Sequence, residues 1–206
     1  MTMGNLRRSS VAVWAVILGV ILLLTIAACS TDDKPGEGNG APAPDSGGSE
    51  MRLTANGCAA DCTFASDEEF TLAVEIVSIP AGGYIAAQSF IDYGPDLTYD
   101  AGAVAAGDEI VWPDCDPAIA LGIEAGPTSV LHGCLTGLLP PLPTSFYAGN
   151  LVELSLICSS GSSTTEVRLL PEADPVAGTS GAVLVGNDVT IHFVPKITDL
   201  TIICEG

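Results

Sequence analysis

The stretch Ala81–Asp100, "AGGYIAAQSFIDYGPDLTYD", decides how this chain reads. It opens on a Gly-Gly turn, runs on as a strand and closes on a Gly-Pro turn, the punctuation of an antiparallel β protein. Within it large side chains fall in both phases of the strand. Ser89, Ile91 and Tyr93 share one direction, and Tyr84, Ala86, Gln88 and Phe90 share the other. A strand with one buried face needs only one apolar phase. The second either forms an exposed recognition patch on Tyr84, Gln88 and Phe90 or is covered by another part of the chain, for which the Pro-rich loop with Leu138, Leu139 and Leu142 is the candidate.

Outward from this stretch the same grammar repeats. In "FTLAVEIVS" Phe70, Leu72, Val74 and Ile76 share a face, and in "NLVELSLICS" Val152, Leu154, Leu156 and Cys158 do so. "TTEVRLL", "GAVLV", "VTIHFV" and "ITDLTIIC" continue the alternation, with Gly, Pro, Asn and Asp between them. No segment after position 50 holds a helical period for three turns, and only "DPAIALGIEA", Asp116–Ala125, suggests a short helix or a turn. These observations predict an all-β chain folded as an antiparallel sandwich of two packed sheets.

The N-terminal part is of another kind. Arg7 and Arg8 precede an uncharged apolar run, Val11–Ala28, which ends in "IAAC" at Cys29. That ending resembles the lipobox of bacterial lipoproteins, and the resemblance implies cleavage before Cys29 and a diacylglyceryl group on its thiol. Residues 1–28 are then a signal peptide; the run is also long enough to be an uncleaved membrane anchor. Either reading places the remainder outside the cytoplasm, in the cell envelope. Residues 29–50 are rich in Gly, Pro, Ser and acid, the composition of a flexible tether. The folded domain is expected over 51–206. Beyond Cys29, 25 acids against four bases (Lys34, Arg52, Arg168, Lys196) leave 21 negative charges in excess, which disfavours nucleic acid as a partner.

Six cysteines follow Cys29, an even set in an exported domain and so a disulfide framework. Cys58 and Cys62 form a local loop in "CAADC". Cys158 and Cys204 each end an inward apolar phase, which makes them partners, and Cys115 and Cys134 remain as the third pair. Zinc is disfavoured, because no C-x2-C pair occurs and only His132 and His192 offer imidazole.

Three segments together resemble the cohesin-like modules, relatives of cellulose-binding domains with a jelly-roll sandwich. "EEFTLAVEIVS" (Glu68–Ser78) is similar to an early strand of that family. "GGYIAAQSFIDYGPDLTYD" is similar to the strand that follows, and "YAGNLVELSLICSSGSSTTEVRLL" (Tyr147–Leu170) to the late hairpin. The resemblance implies a non-catalytic module that binds a protein partner through one sheet face. The alternative it carries is polysaccharide binding, which needs planar rings to stack on sugars; beyond the signal peptide the chain has Trp112 and four tyrosines.

The residues themselves argue against catalysis. His132 is expected in a loop and His192 on a surface strand, and "GTSGA" lacks the final glycine of a nucleophile elbow. The acid pairs Glu68–Glu69, Asp108–Glu109 and Asp114/Asp116 would need a deep cleft with flanking aromatics to act as glycosidase carboxylates, which a small sandwich rarely provides. No cofactor is expected; calcium at "DCD" (Asp114–Asp116) or "DYGPDLTYD" (Asp92–Asp100) is the one ion the acidic loops leave open.

Overall fold

The computed structural model describes residues 46–99, 107–159, 161–172 and 181–206. Cys29, expected to carry a lipid, the apolar run before it, most of the expected tether, Asp100 and most of "GTSGA" lie outside the described residues.

The described residues form strands and no helix. The first sheet contains β1 (Glu50–Ala55), β3 (Glu69–Ser78), β5 (Leu97–Tyr99), β8 (Gly149–Cys158) and β12 (Lys196–Thr198) in the order β12-β1-β3-β8-β5. The second runs β11 (His192–Phe193), β10 (Val183–Val185), β4 (Ala86–Asp92), β9 (Ser163–Leu169), β13 (Leu200–Glu205) and β2 (Asp61–Ala65). On the other edge of β4 lies β7 (Ser129–Leu135), followed by β6 (Leu121–Gly126). Most pairings are antiparallel; β1 with β12 and β13 with β2 are parallel.

The alternating phases meet between the sheets. Leu53, Leu72, Val74, Leu154 and Leu156 from the first face Ile91, Val130, Leu169, Leu184 and Ile202 from the second. A fully buried Leu or Ile contributes about 1.5–3 kcal/mol, so this layer is the main source of cohesion. Phe64 stacks on Phe70 with ring centres 4.2 Å apart.

Three disulfides are formed, Cys58–Cys62, Cys115–Cys134 and Cys158–Cys204. The last joins β8 in one sheet to β13 in the other. Both cysteines close inward apolar phases, so two strands distant in sequence present thiols to the same interior space.

Asp116–Ala125 is not a helix. Asp116 caps a turn by accepting the Ala118 N–H at 3.0 Å, and β6 takes the second half. Once β7 offers Leu121–Gly126 an open edge, pairing satisfies their backbone groups.

Candidate functional site

From Ala86 onward the stretch that opened the sequence behaves as its alternation requires. Ser89, Ile91 and Tyr93 are buried on the core side, and Phe90 belongs to a separate small cluster on the outer side. Tyr84 does not join that outer face. It lies before β4, where its backbone pairs with Ser145 in both directions, at 3.0 and 2.7 Å. The strand phase therefore does not extend back to it. Its ring is fully buried against Trp112, with centroids 5.2 Å apart, and its hydroxyl donates to the Tyr147 carbonyl at 2.9 Å. Burial pushes that hydroxyl up to about 12. Gly83, at φ +71°, makes the approach feasible, because a Cβ there would meet the Ser145 carbonyl at 2.6 Å.

Phe90 is not an exposed anchor either, being 7% exposed. Leu170 and Leu131 pack on it, and the Leu170 N–H donates to the Phe90 carbonyl at 2.8 Å. The Pro-rich loop is not the cover: Leu138 and Leu139 are 61% and 81% exposed. Gln88 is half-buried, with its amide donating to the Gly181 carbonyl at 2.9 Å. The patch of Tyr84, Gln88 and Phe90 is thus corrected to Gln88 with a different set of neighbours.

Those neighbours follow from register. Phe90 sits opposite Leu131, and Leu131 opposite Ile123, which makes an apolar row across β4, β7 and β6. The next row is Gln88, Gly133 and Leu121, and beyond it Ala86 faces Leu135. Ile123 and Leu135 are exposed, while Gly133 leaves a shallow gap beside Gln88. Ile123 and Leu135 lie in segments where no strand was expected, so this face was not visible beforehand.

The other side of the same strands holds a polar group that sequence reasoning placed wrongly. His132 is not in a loop. It lies in β7, is 1% exposed, and its Nε2 is 2.6 Å from Glu109 Oε2. The Tyr99 hydroxyl donates to the other Glu109 oxygen at 2.7 Å. Burial alone pushes the Glu109 carboxyl up, but the bonds from His132 and Tyr99, with the imidazole charge, outweigh it and hold the carboxyl below its usual range. Burial, reinforced by the Glu109 bond, pushes the Tyr99 hydroxyl upward. Register sets Ser89 directly across from His132. Ser89, His132 and Glu109 thus gather the three side-chain types of a hydrolytic triad. The Ser89 hydroxyl and His132 Nδ1 have no partner among the described residues, and the cavity they line is about 10 Å³, room for no more than a water. The group reads as a buried polar tie between the sheets.

The remaining candidates resolve into turn chemistry. Asp114 accepts from the Ser145 hydroxyl at 2.7 Å, and that hydroxyl oxygen also receives the Trp112 indole N–H at 3.3 Å. Asp92 accepts from the Gly94 N–H and the Thr128 hydroxyl, and Asp96 from Thr165. No cluster of three metal-ligating side chains occurs among the described residues. His192 is exposed on β11, 3.4 Å from Glu172. Phe146 is the one exposed aromatic among the described residues, so they form no stacking platform for a sugar chain.

The sequence matches no family model and no curated protein. Solved structures do match. A cohesin of Clostridium thermocellum, solved as the Coh-OlpC–Doc435 complex, superposes with a TM-score of 0.58 at 9% identity, over 81% of this chain and 99% of its own. The sixth cohesin of scaffoldin B from Acetivibrio cellulolyticus, in complex with a Cel5 dockerin mutant, gives 0.53 at 17% identity, over 77% and 99%. The domain has a cohesin-like fold. A type III cohesin module of the cell-surface anchoring scaffoldin ScaE from Ruminococcus flavefaciens gives 0.51 at 12% identity, over 77% and 88%. At these identities the likeness establishes the jelly-roll sandwich and leaves function to the residues of this cohesin-like domain.

Proposed function

We propose that this chain is a non-catalytic, extracytoplasmic protein-binding module, tethered to a membrane through a lipid on Cys29, and that its partner meets the outer face of β4, β7 and β6. One observation carries the reading. Exposed Ile123 and Leu135, with half-buried Leu131 and Leu121 between them, set apolar side chains in register on an outward sheet face beside covered Phe90, where solvation alone would favour polar ones. Two cohesins of similar fold are solved in complex with dockerins, which supports a protein partner here. Polysaccharide is less favoured, because a platform of exposed rings is missing among the described residues.

The test is crosslinking in the native envelope with the full chain and with Ile123→Asp. Ile123 is 41% exposed at the sheet edge, so the substitution should leave thermal unfolding nearly unchanged while a specific crosslinked protein disappears. Retention of the same crosslink by Ile123→Asp would move the binding surface elsewhere. A polysaccharide array run beside it should stay blank. Mass spectrometry of the mature N-terminus tests the tether and should find a diacylglyceryl cysteine at position 29.

A further inference from the structure

One end of the sandwich is built from three loops that hydrogen bonds hold together. The Thr144 hydroxyl donates to Asn187 Oδ1 at 2.7 Å, and the Asn187 amide donates to the Gly82 carbonyl at 3.3 Å. Residues 79–83, 136–146 and 186–191 therefore form one rim. On it Leu138, Leu139 and Phe146 are 61%, 81% and 62% exposed, and Val189 and Ile191 are 49% and 45% exposed.

The rim is also almost without charge. Segments 79–91, 133–152 and 181–187 contain no Asp, Glu, Lys or Arg, in a chain that carries 21 negative charges in excess after Cys29. Asp188 is an exposed carboxylate on the rim itself, and among the described residues the other charged groups named near it have partners. Asp188 accepts from Thr190, Asp114 accepts from Ser145, His192 lies beside Glu172, and Glu50 beside Lys196.

The chain enters the domain at this same end. Glu50 of β1 pairs with Ser78, the last residue of β3, so Ser46–Ser49 lie at the rim. A Cβ on Gly47 would stand 2.5 Å from the Phe193 ring, and Phe193 lies two residues beyond Ile191. From Cys29 to Ser46 is a short span of sequence, and the C-terminal Glu205 lies at the far end, opposite Ala65.

We infer that the rim of Leu138, Leu139, Phe146, Val189 and Ile191 rests on the bilayer that holds the N-terminus, as a shallow interfacial contact with uncharged lipid. This rests on the reading of an anchored chain and goes beyond it by fixing which end faces the membrane. Protruding loop tips almost without charge suit an apolar surface that closes over them. An anionic headgroup layer would repel the acidic domain, whereas a zwitterionic one would not. With the rim down, the C-terminus points away from the membrane and the face bearing Ile123 stands to the side, open to a partner.

The experiment uses the full chain in vesicles of phosphatidylcholine brominated on its acyl chains. Tryptophan is placed on the rim by Leu139→Trp and at the far end by Glu205→Trp; Trp112 contributes the same background to both, and Trp14 leaves with residues 1–28 when the chain is cleaved before Cys29. The Leu139→Trp emission should shift to shorter wavelength and lose intensity to bromine, and that of Glu205→Trp should do neither. Adding Leu138→Ser and Phe146→Ser to Leu139→Trp should abolish the quenching with thermal unfolding unchanged. Equal, unquenched emission from both positions would overturn the inference. So would a shift that grows with protein density and is insensitive to bromine, which marks a second copy or another protein on the rim. The N-terminal mass, measured on the same sample, reports the lipid separately. Quenching without a lipidated Cys29 would keep the rim contact and remove the anchor, and a lipidated chain without quenching would do the reverse.

Discussion

The two ends of this sandwich are made from the same strands and differ in almost everything else. At the end where the chain enters, the described loops carry one exposed carboxylate, Asp188, and large apolar side chains stand in solvent. At the other, Asp67, Glu68, Glu69, Asp92, Asp96 and Glu205 crowd the turns, each next to a strand terminus. Core packing is no guide to the difference, because the interior layer runs through both. Each end is closed by a disulfide, Cys115–Cys134 on the side of the apolar rim and Cys158–Cys204 on the acidic side. Charge has been placed by where each end must sit, whereas the fold needs only the alternation between them.

The sharpest way to break this symmetry of construction is to open one bridge at a time. Cys158–Cys204 closes a span of 46 residues and ties the two sheets, and in the chain-entropy picture its loss costs about 4 kcal/mol. Cys115–Cys134 closes 19 residues and should cost about 3 kcal/mol. Urea unfolding of the paired alanine variants compares the two, and the acidic end should prove the more dependent. An equal or reversed order would mean that native-state packing around Cys115 outweighs loop length.

Side-chain truncation sharpens the contrast between covered and uncovered apolar residues. Phe90→Ala empties the small cluster with Leu131 and Leu170 and should lower stability by about 3 kcal/mol, the low end for a buried phenylalanine. Leu139→Ala on the rim removes a side chain that touches mostly solvent and should stay within about 0.5 kcal/mol. If Phe90→Ala were as mild as Leu139→Ala, the outer face of β4 would be open in solution and Phe90 would return as a recognition residue.

The smallest of the three effects concerns the polar tie between the sheets. The Glu109 carboxyl is held below its ordinary value of 4.5, so the ionised form adds stability that is fully present above about that pH. It is lost as pH falls through the folded-state value. Unfolding midpoints from pH 7 down to pH 3 should therefore fall more steeply for the natural chain than for Glu109→Gln, which has no proton to take up there. Parallel curves would assign the acid sensitivity to carboxylates elsewhere.

Much of this was legible without coordinates where the signal is local. Strands β3, β4, β8 and β9 follow from strict alternation, and the Cys158–Cys204 pair from two inward phases that end on cysteine. The weaker elements were not. "LGIEAG" carries Gly and Glu, and it becomes β6 only because β7 presents an edge to it. His132 looked like a loop residue because its burial is stabilised by Glu109, which arrives from a different segment and brings Tyr99 with it.

The sequence by itself determined that the domain is an all-β sandwich, that Cys158 and Cys204 each end an inward phase, and that β4 has two apolar phases, since alternation and turn chemistry act over a few residues. Only the tertiary structure decided what each phase meets. Tyr84 turns inward because Ser145 pairs with its backbone, and Phe90 is shielded because Leu170 folds back onto it. The nearly uncharged loops share a rim because Asn187 joins Thr144 to Gly82. Each of these depends on a partner remote in the chain, and alternation records that a side chain is apolar without recording what will cover it.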